Sequence, residues 1–249
     1  MTTWSCETPT APSAPTWITS SATSIEIEWN PPTDDGGCPV VEYRVYRDAG
    51  DTNSPVASQV NVAQLSGINY INEITVTEFP SQSLGLRFRF KVIVITEFAT
   101  DGVSSSVSNS FILADLPDKP SQAPTRNSNT NENIVAVDII QVPGNNGSPI
   151  VSYNIEIDDG FGGSFVELQG YTLNSLSMTA YKITGVVSGQ LYRLRYRALN
   201  EIGFGPYSDI AYILTATVPY NPTPVTTTIV GSNVVISWKM PFNGASLIY

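Results

Sequence analysis

The chain has 249 residues, of which 41% are hydrophobic, so it is long enough to form one large domain or two domains of ordinary size. Its 12 Lys and Arg residues stand against 22 Asp and Glu residues, and the formal net charge of -10 disfavours nucleic acid and anionic membranes as partners. It contains no histidine, which removes the usual general base near neutral pH and the commonest zinc ligand. We therefore expect no enzyme activity, no metal site and no cofactor.

The two ends of the sequence carry no targeting or membrane signal. The residues after Met1 have neither a positively charged start nor an apolar run, so no signal peptide is visible. No stretch approaches the roughly 18 consecutive apolar residues of a membrane span. The sequence stops at "NGASLIY", where a third repeat is entering its strands, and we expect the chain to be a fragment of a longer protein.

Runs of alternating apolar and polar residues predict β-strands, because successive side chains of a strand point to opposite faces. In chain order these runs are SIEIEW, VVEYRVY, LRFRFKVIVI, IVSYNIEI, LYRLRYRAL and NVVISW. Helical periodicity is absent at any useful length. Many short strands separated by Pro, Gly, Asn and Asp indicate an all-β sandwich or barrel.

The strand pattern repeats along the chain. The stretch "DDGGCPVVEYRVY" returns as "GNNGSPIVSYNIE", so that Tyr153 corresponds to Tyr43. The stretch "GLRFRFKVIVITE" returns as "GQLYRLRYRALNE", so that Tyr192 corresponds to Phe88. Repetition at this period predicts tandem domains of the same fold.

The repeated blocks resemble the fibronectin type III family. The resemblance lies in Trp29 followed by "PPTDDGGCPVVEY", in the alternation from Tyr192 to Asn200 followed by "EIGFGPYS", and in the renewed start "NVVISWKMPFNG". It implies tandem antiparallel β-sandwiches of immunoglobulin-like topology. It implies no particular partner, because the family is a scaffold with many uses. The second repeat departs from the pattern at Ile139, where the other two repeats have Trp29 and Trp238.

Clusters of proline separate the repeats and predict short, semi-rigid joints. We divide the chain into an N-terminal segment or linker at 1–11, a first domain at 12–115, a second domain at 117–218 and the incomplete start of a third at 219–249.

Basic residues gather on one face of the predicted F strand of each repeat. In the second repeat Arg193, Arg195 and Arg197 face outward, where Asn154, Glu156 and Asp158 of strand C oppose and neutralise them. In the first repeat strand C offers Glu42, Arg44 and Tyr46 outward, so that fewer carboxylates oppose the basic residues. Arg87, Arg89 and Lys91 are therefore our candidate contact face for a partner, although long basic side chains also cover sheet surface without binding anything.

Three further features are candidates for chemistry. Cys6 and Cys38 are candidates for a disulfide, with two free thiols as the alternative. Asn146 begins the sequence's sole N-glycosylation motif, in the loop between strands B and C. The carboxylate pairs Asp34 with Asp35 and Asp158 with Asp159 adjoin glycines, which favours turns over calcium or acid–base sites.

These observations favour a non-enzymatic structural or adhesive array, extracellular or on a cell surface, as part of a longer protein or a filament subunit. Its expected partners are proteins, such as neighbouring repeats or subunits, or glycans. A cytoplasmic or ciliary scaffold is the second interpretation, and a spacer within a larger polysaccharide-acting enzyme is the third.

Overall fold

The computed structural model describes residues 6–51, 53–60 and 73–245. Every regular element in these ranges is a β-strand, and the strands pair antiparallel, which confirms the predicted all-β class. The chain forms two compact units. Unit 1 comprises Met1–Leu116, Asn145–Pro149 and Glu201–Gly203, and unit 2 comprises Pro117–Gly144, Ile150–Asn200 and Phe204–Tyr249.

The strands of unit 1 form two main sheets with the orders β1-β2-β5 and β4-β3-β7-β8, and β6 pairs with β9. Their bounds are β1 Thr16–Ser20, β2 Ile25–Glu28, β3 Val40–Arg47, β4 Ser58–Gln59, β5 Glu73–Val76, β6 Arg87–Phe88, β7 Phe90–Thr96, β8 Val103–Ser104 and β9 Phe111–Ile112.

Unit 2 repeats this arrangement with the sheet orders β10-β11-β14 and β13-β12-β15-β16, and it also contains the hairpin β17-β18. The bounds are β10 Thr125–Arg126, β11 Val135–Asp138, β12 Ser152–Ile157, β13 Val166–Gln169, β14 Thr179–Lys182, β15 Leu191–Leu199, β16 Ala211–Leu214, β17 Thr226–Val230 and β18 Asn233–Ser237. The compact units divide between Leu116 and Pro117, and the hairpin counts with unit 2. A separate third domain stays a prediction.

The two cores fill the space between strands B and F with different pairs of residues. Trp29 fills the first core, where it packs edge-on against Tyr43 and shares a buried cluster with Val92. The second core has the smaller Ile139 in place of Trp29, and the larger Tyr196 in place of Val92. Tyr196 is fully buried, and its hydroxyl donates to the carbonyl of Ile140 at 3.0 Å. Tyr196, on strand F (β15), thus compensates for the smaller Ile139, which directly follows strand B (β11).

The proline-rich segments are held by backbone hydrogen bonds. Each forms two backbone hydrogen bonds to the loop after strand B, and we call such a pair of bonds a linker ladder. The amide and carbonyl pairs are Glu7 with Gly36 and Thr10 with Asp34 in the first ladder, Asp115 with Asn146 and Asp118 with Gly144 in the second, and Thr217 with Gly244 and Tyr220 with Phe242 in the third, all between 2.8 and 3.1 Å.

The acceptor loop bends in the same way at the first pair of each ladder. Gly36, Asn146 and Gly244 all have positive φ, at 70°, 50° and 69°. A Cβ atom on Gly36 would overlap the carbonyl oxygen of Glu7, and one on Gly244 would overlap that of Thr217. Glycine is required at these two places because the linker backbone approaches so closely.

Residues 6–11 therefore form part of unit 1, and the division of the chain at residue 11 into an N-terminal segment or linker and a first domain stays a prediction. Pro9 and Pro12 are buried, as are Pro117 and Pro120 in the second ladder. Their spacing of three residues matches the turn of a polyproline II helix, which puts both prolines of a pair on one side. The search for alternating apolar and polar residues, which predicts strands, did not detect this spacing of three residues.

Exchanging the core residues tests the compensation between strands B and F. We expect Tyr196→Val to lower the free energy of unfolding of unit 2 by about 3 kcal/mol, because it opens a cavity beside Ile139. Adding Ile139→Trp should recover part of that loss by installing the pair found in the first core. Calorimetry on the whole chain measures both changes, with the exposed Tyr181→Val as the control. A double variant less stable than Tyr196→Val would contradict the account.

Candidate interaction surface

Strand β15 divides its side chains between the core and the surface. Tyr192, Leu194, Tyr196 and Ala198 are fully buried, whereas the alternate Arg193, Arg195 and Arg197 are half-buried on the outer face. The predicted alternation is therefore present along the whole strand. It places three guanidinium groups in a row about two residues apart on one sheet face.

Aromatic rings from two loops fill the spaces between these guanidinium groups. The Cζ atom of Arg195 lies 4.3 Å from the ring centre of Phe165 and 3.8 Å from that of Tyr207. The Cζ atom of Arg197 lies 4.4 Å from the ring centre of Tyr207 and 4.0 Å from that of Phe204. We call this alternating row the arginine–aromatic stack. Each such cation–π contact contributes about 0.5–1 kcal/mol at a partly exposed site.

Glu156 of β12 anchors the middle of the arginine–aromatic stack. Its Oε2 accepts a hydrogen bond from Nε of Arg195 at 2.7 Å, and its Oε1 accepts from the hydroxyls of Tyr171 and Tyr207 at 2.7 and 2.8 Å. Burial alone would raise the pKa of this carboxyl, but the three hydrogen bonds outweigh it and hold the pKa below its ordinary value. Burial, Tyr207 and the carboxylate together raise the pKa of the Tyr171 hydroxyl.

Arg197 differs from its two neighbours. Asn154 lies opposite Arg197 on the paired strand, but its side chain is buried rather than outward, and its amide donates to the carbonyl of Gly170. Among the described residues Arg197 has no carboxylate within ion-pair distance, and its guanidinium donates to the Tyr171 hydroxyl at 3.1 Å. The stack therefore contains three guanidinium groups but two carboxylate partners.

Asp158 forms the second of these carboxylate contacts at the end of β12. Its side chain is fully buried, and its two oxygens accept from the amide and Nε of Arg193 at 2.9 and 2.7 Å. Oδ1 also accepts from the amide of Gly160 at 3.0 Å. Burial acts to raise the pKa of Asp158, yet these hydrogen bonds hold it below its ordinary value.

Unit 1 contains the same arrangement, built on Asp48 and Arg89. The Asp48 carboxylate is fully buried and accepts from the amide and Nε of Arg89 at 3.2 and 2.8 Å, and from the amide of Gly50 at 3.1 Å. We call the shared arrangement the Asp–Arg clamp. It ties the end of strand C to the start of strand F in both units.

The candidate contact face of unit 1 is thus paired more completely than the sequence indicated. Arg89 faces a buried carboxylate that the sequence analysis did not assign to it. Arg87 donates to the carbonyl of Ser110 at 3.4 Å and forms an ion pair with Glu201, a residue of the same compact unit. Lys91 lies 5.4 Å from the ring centre of Tyr46 and has no carboxylate partner among the described residues. Contact of this face with a partner stays a prediction.

The predicted neighbours on strand C also find partners within unit 1. Glu42 pairs with Arg44 along the same strand, at 3.0 Å. Because this pair is satisfied internally, neither residue is directed at the basic residues of strand F.

Cys6 and Cys38 are joined in a disulfide in the structure, with their Cα atoms 5.4 Å apart, inside the roughly 7 Å that a bridge allows. The bond lies at the start of the first linker ladder. It fastens the chain one residue before Glu7 to the loop two residues after Gly36.

Asn146 is half-buried, contrary to the expectation of an exposed glycosylation site. Its side-chain amide donates to the carbonyl of Leu116 at 2.7 Å, and Ser148 of the motif is almost fully buried. Both groups are engaged in the folded chain, so glycosylation of Asn146 stays a prediction that this geometry does not favour.

The carboxylate pairs lie in turns, as the sequence indicated. Oδ1 of Asp34 accepts from the amide of Gly36, and Oδ1 of Asp35 from that of Gly37, both at 2.8 Å. Oδ1 of Asp159 accepts from the amides of Phe161 and Gly163. In the described part of the chain no three acidic or cysteine side chains gather as metal ligands would, and no helix there has the length and apolarity to cross a membrane.

Replacing the buried clamp carboxylate tests its contribution to unit 2. We expect Asp158→Asn to lower the free energy of unfolding by about 3 kcal/mol, because it leaves Arg193 without its charge partner beside a desolvated amide. Asp159→Asn is the matched control, since an asparagine keeps the turn and the change in stability should be much smaller. Equal effects at the two positions would contradict the assignment.

Acid should weaken unit 2 through Glu156. A carboxyl whose folded pKa lies below its unfolded value stabilises the fold above about pH 4, and that stability is lost as the pH falls through the folded pKa. We expect Glu156→Gln to reduce the loss of stability between pH 5 and pH 2 by roughly 1 kcal/mol. Urea unfolding across that range measures it, with the exposed Glu78→Gln as the control. An unchanged pH profile would refute the role of Glu156.

The comparisons with known proteins find relatives of the same kind. The chain is 27% identical over 236 residues to mouse fibronectin type-III domain-containing protein 3A, which covers 89% of this chain and 17% of the relative. It is 26% identical over 233 residues to the chicken protein 3a, covering 91% and 18%, and 25% identical over 236 residues to the human protein 3A, covering 90% and 17%. The chain thus spans less than a fifth of the length of these relatives.

Two other comparisons were made with family models and with solved structures. No family model matches the chain. The solved structure of the chicken CNTN1 FN1-FN3 domains is similar with 16% identity and a TM-score of 0.37, covering 93% of this chain and 76% of that one, and a likeness at that score carries no argument. The sheet orders of the two units and the named relatives are consistent with tandem fibronectin type III repeats, the family that the sequence resembles.

Proposed function

We propose that the chain is a non-enzymatic segment of a structural or adhesive protein, in which sandwich repeats are spaced along a longer polypeptide and present their faces to other proteins. The observation that carries this proposal is the linker ladder. The ladder occurs three times, with hydrogen bonds at equivalent positions and a residue of positive φ at the same place in each acceptor loop. A connector rebuilt in this way at each repeat limits the freedom of the joint.

The surface chemistry supports a role in binding rather than catalysis. Two of the carboxylates with a perturbed pKa, Glu156 and Asp158, accept hydrogen bonds from Arg193, Arg195 and two tyrosines. A general base needs a lone pair directed at substrate, whereas the lone pairs of these carboxylates accept hydrogen bonds from within the fold. Half-exposed arginine and aromatic side chains, by contrast, are enriched in protein interfaces.

The disulfide between Cys6 and Cys38 supports an extracellular or cell-surface location, because such bonds persist in oxidising compartments. A glycan or a neighbouring subunit is the expected partner there. Free thiols at both positions in protein from its native source would instead favour a cytoplasmic or ciliary scaffold.

Removing the amide donors of the second linker ladder tests the spacing role. We expect the double variant Asp115→Pro and Asp118→Pro to loosen the joint, because proline keeps the extended backbone but has no N–H to donate to Asn146 or Gly144. Small-angle scattering of the whole chain should show a broader distribution of interatomic distances than that of the unmodified chain.

The matched control is Lys119→Pro, which lies directly after the second donor and whose amide takes no part in the ladder bonds. Unchanged scattering in the double variant, with both sandwiches folded by circular dichroism, would overturn the proposal that the ladders set the spacing.

A further inference from the structure

The first linker ladder differs from the other two in being closed by a covalent bond. Cys6 precedes its first donor, Glu7, in the place that Ala114 takes before Asp115 and Ala216 takes before Thr217. Cys38 follows the acceptor Gly36 by two residues, as Ser148 follows Asn146. The first ladder therefore contains a disulfide, whereas the second and third ladders do not.

The other two ladders are held at the same end by a paired strand. Ala114 comes two residues after β9, whose Phe111 pairs with Phe88, and Ala216 comes two residues after β16, whose Ile213 pairs with Tyr192. The disulfide fixes the start of the first ladder at the corresponding point. It thus supplies the anchor that a hydrogen-bonded strand supplies elsewhere in the chain.

The remaining contacts of the segment are unequal along its length. Glu7 and Thr10, which donate the two ladder bonds, are exposed. Pro9, Pro12 and Pro15 are buried, and the amide of Ser13 donates to the carbonyl of Asn30 at 3.0 Å. Exposed hydrogen bonds contribute little each, so the end of the segment beside Cys6 depends on the disulfide most.

We propose that the Cys6–Cys38 disulfide is a reducible latch that holds the proline-rich segment on its acceptor loop, and that a dithiol reductant opens it without unfolding the sandwich. Cys6 is half-buried, whereas Cys38 is almost fully buried, so the reductant attacks Sγ of Cys6.

The exchange is a two-electron reduction. A thiolate of the dithiol bonds to Sγ of Cys6, the Cys6–Cys38 bond breaks, and Cys38 leaves as a thiolate that takes up a proton. The second thiol of the dithiol then displaces Cys6 as a thiol and closes the reductant's own disulfide. The protein gains two electrons and two protons, and the carbonyls of Asp34 and Gly36 lose their partners when the segment lifts.

Amide hydrogen exchange of the whole chain, with and without dithiothreitol, tests the latch. We expect exchange at Glu7 to rise about 10-fold or more on reduction, and at Thr10 about 5-fold, because local opening no longer works against a covalent tie. The second and third ladders are internal controls: exchange at Asp115, Asp118, Thr217 and Tyr220 should change less than about 2-fold.

The double variant Cys6→Ala and Cys38→Ser gives the first ladder the residues of the second one, and should exchange like the reduced chain. Mass measurement after alkylation reports whether both thiols are free. Hydrogen exchange in the same sample reports whether the amide of Phe90, in the core strand β7, stays protected. A disulfide that opens only when Phe90 also exchanges would overturn the latch. So would unchanged exchange at Glu7 and Thr10, or an equal rise in all three ladders.

Discussion

The Asp–Arg clamp is the interaction on which the outer face of each sandwich depends. Strands C and F are neighbours in the sheet, and a buried carboxylate at the end of C binds both the backbone and the guanidinium of one residue near the start of F. A charge removed from water in this way must be fully satisfied, and the amides of Gly50 and Gly160 complete the set. The clamp therefore fixes both the register of the pair and the direction of the arginine that it binds.

Beyond the clamp the two outer faces diverge because their neighbouring loops differ. In unit 2 the loops bring Phe165, Tyr207 and Phe204 over the arginines, so that a row of charges becomes a packed layer. In unit 1 the position of Arg195 is taken by Lys91, which lies over Tyr46. The same strand alternation thus yields a face packed with aromatic rings in unit 2, and in unit 1 a face with the Lys91–Tyr46 contact at the corresponding position.

Strand alternation and repetition were sufficient to predict the sandwiches, because both depend on residues close in sequence. They also predicted that Glu156 and Asp158 neutralise the arginines of unit 2, since antiparallel neighbours C and F bring those positions together. The aromatic members of the stack were missed, because Phe165 and Tyr207 lie in loops whose path no periodicity fixes. Asp48 was missed although the sequence held a signal: it precedes Gly50 as Asp158 precedes Gly160, at the same distance from the shared tyrosine of strand C.

The linkers show why a proline-rich stretch does not by itself mark a free joint. Proline removes an amide donor, but each ladder donor lies two residues before a proline, and every third position turns to the same side. Pro9 and Pro12 pack inward while Glu7 and Thr10 supply the hydrogen bonds, so the segment combines an apolar edge with a polar one. Because this edge binds the loop after strand B, the position of that loop and the path of the linker are set together, and a change in either one must alter the other.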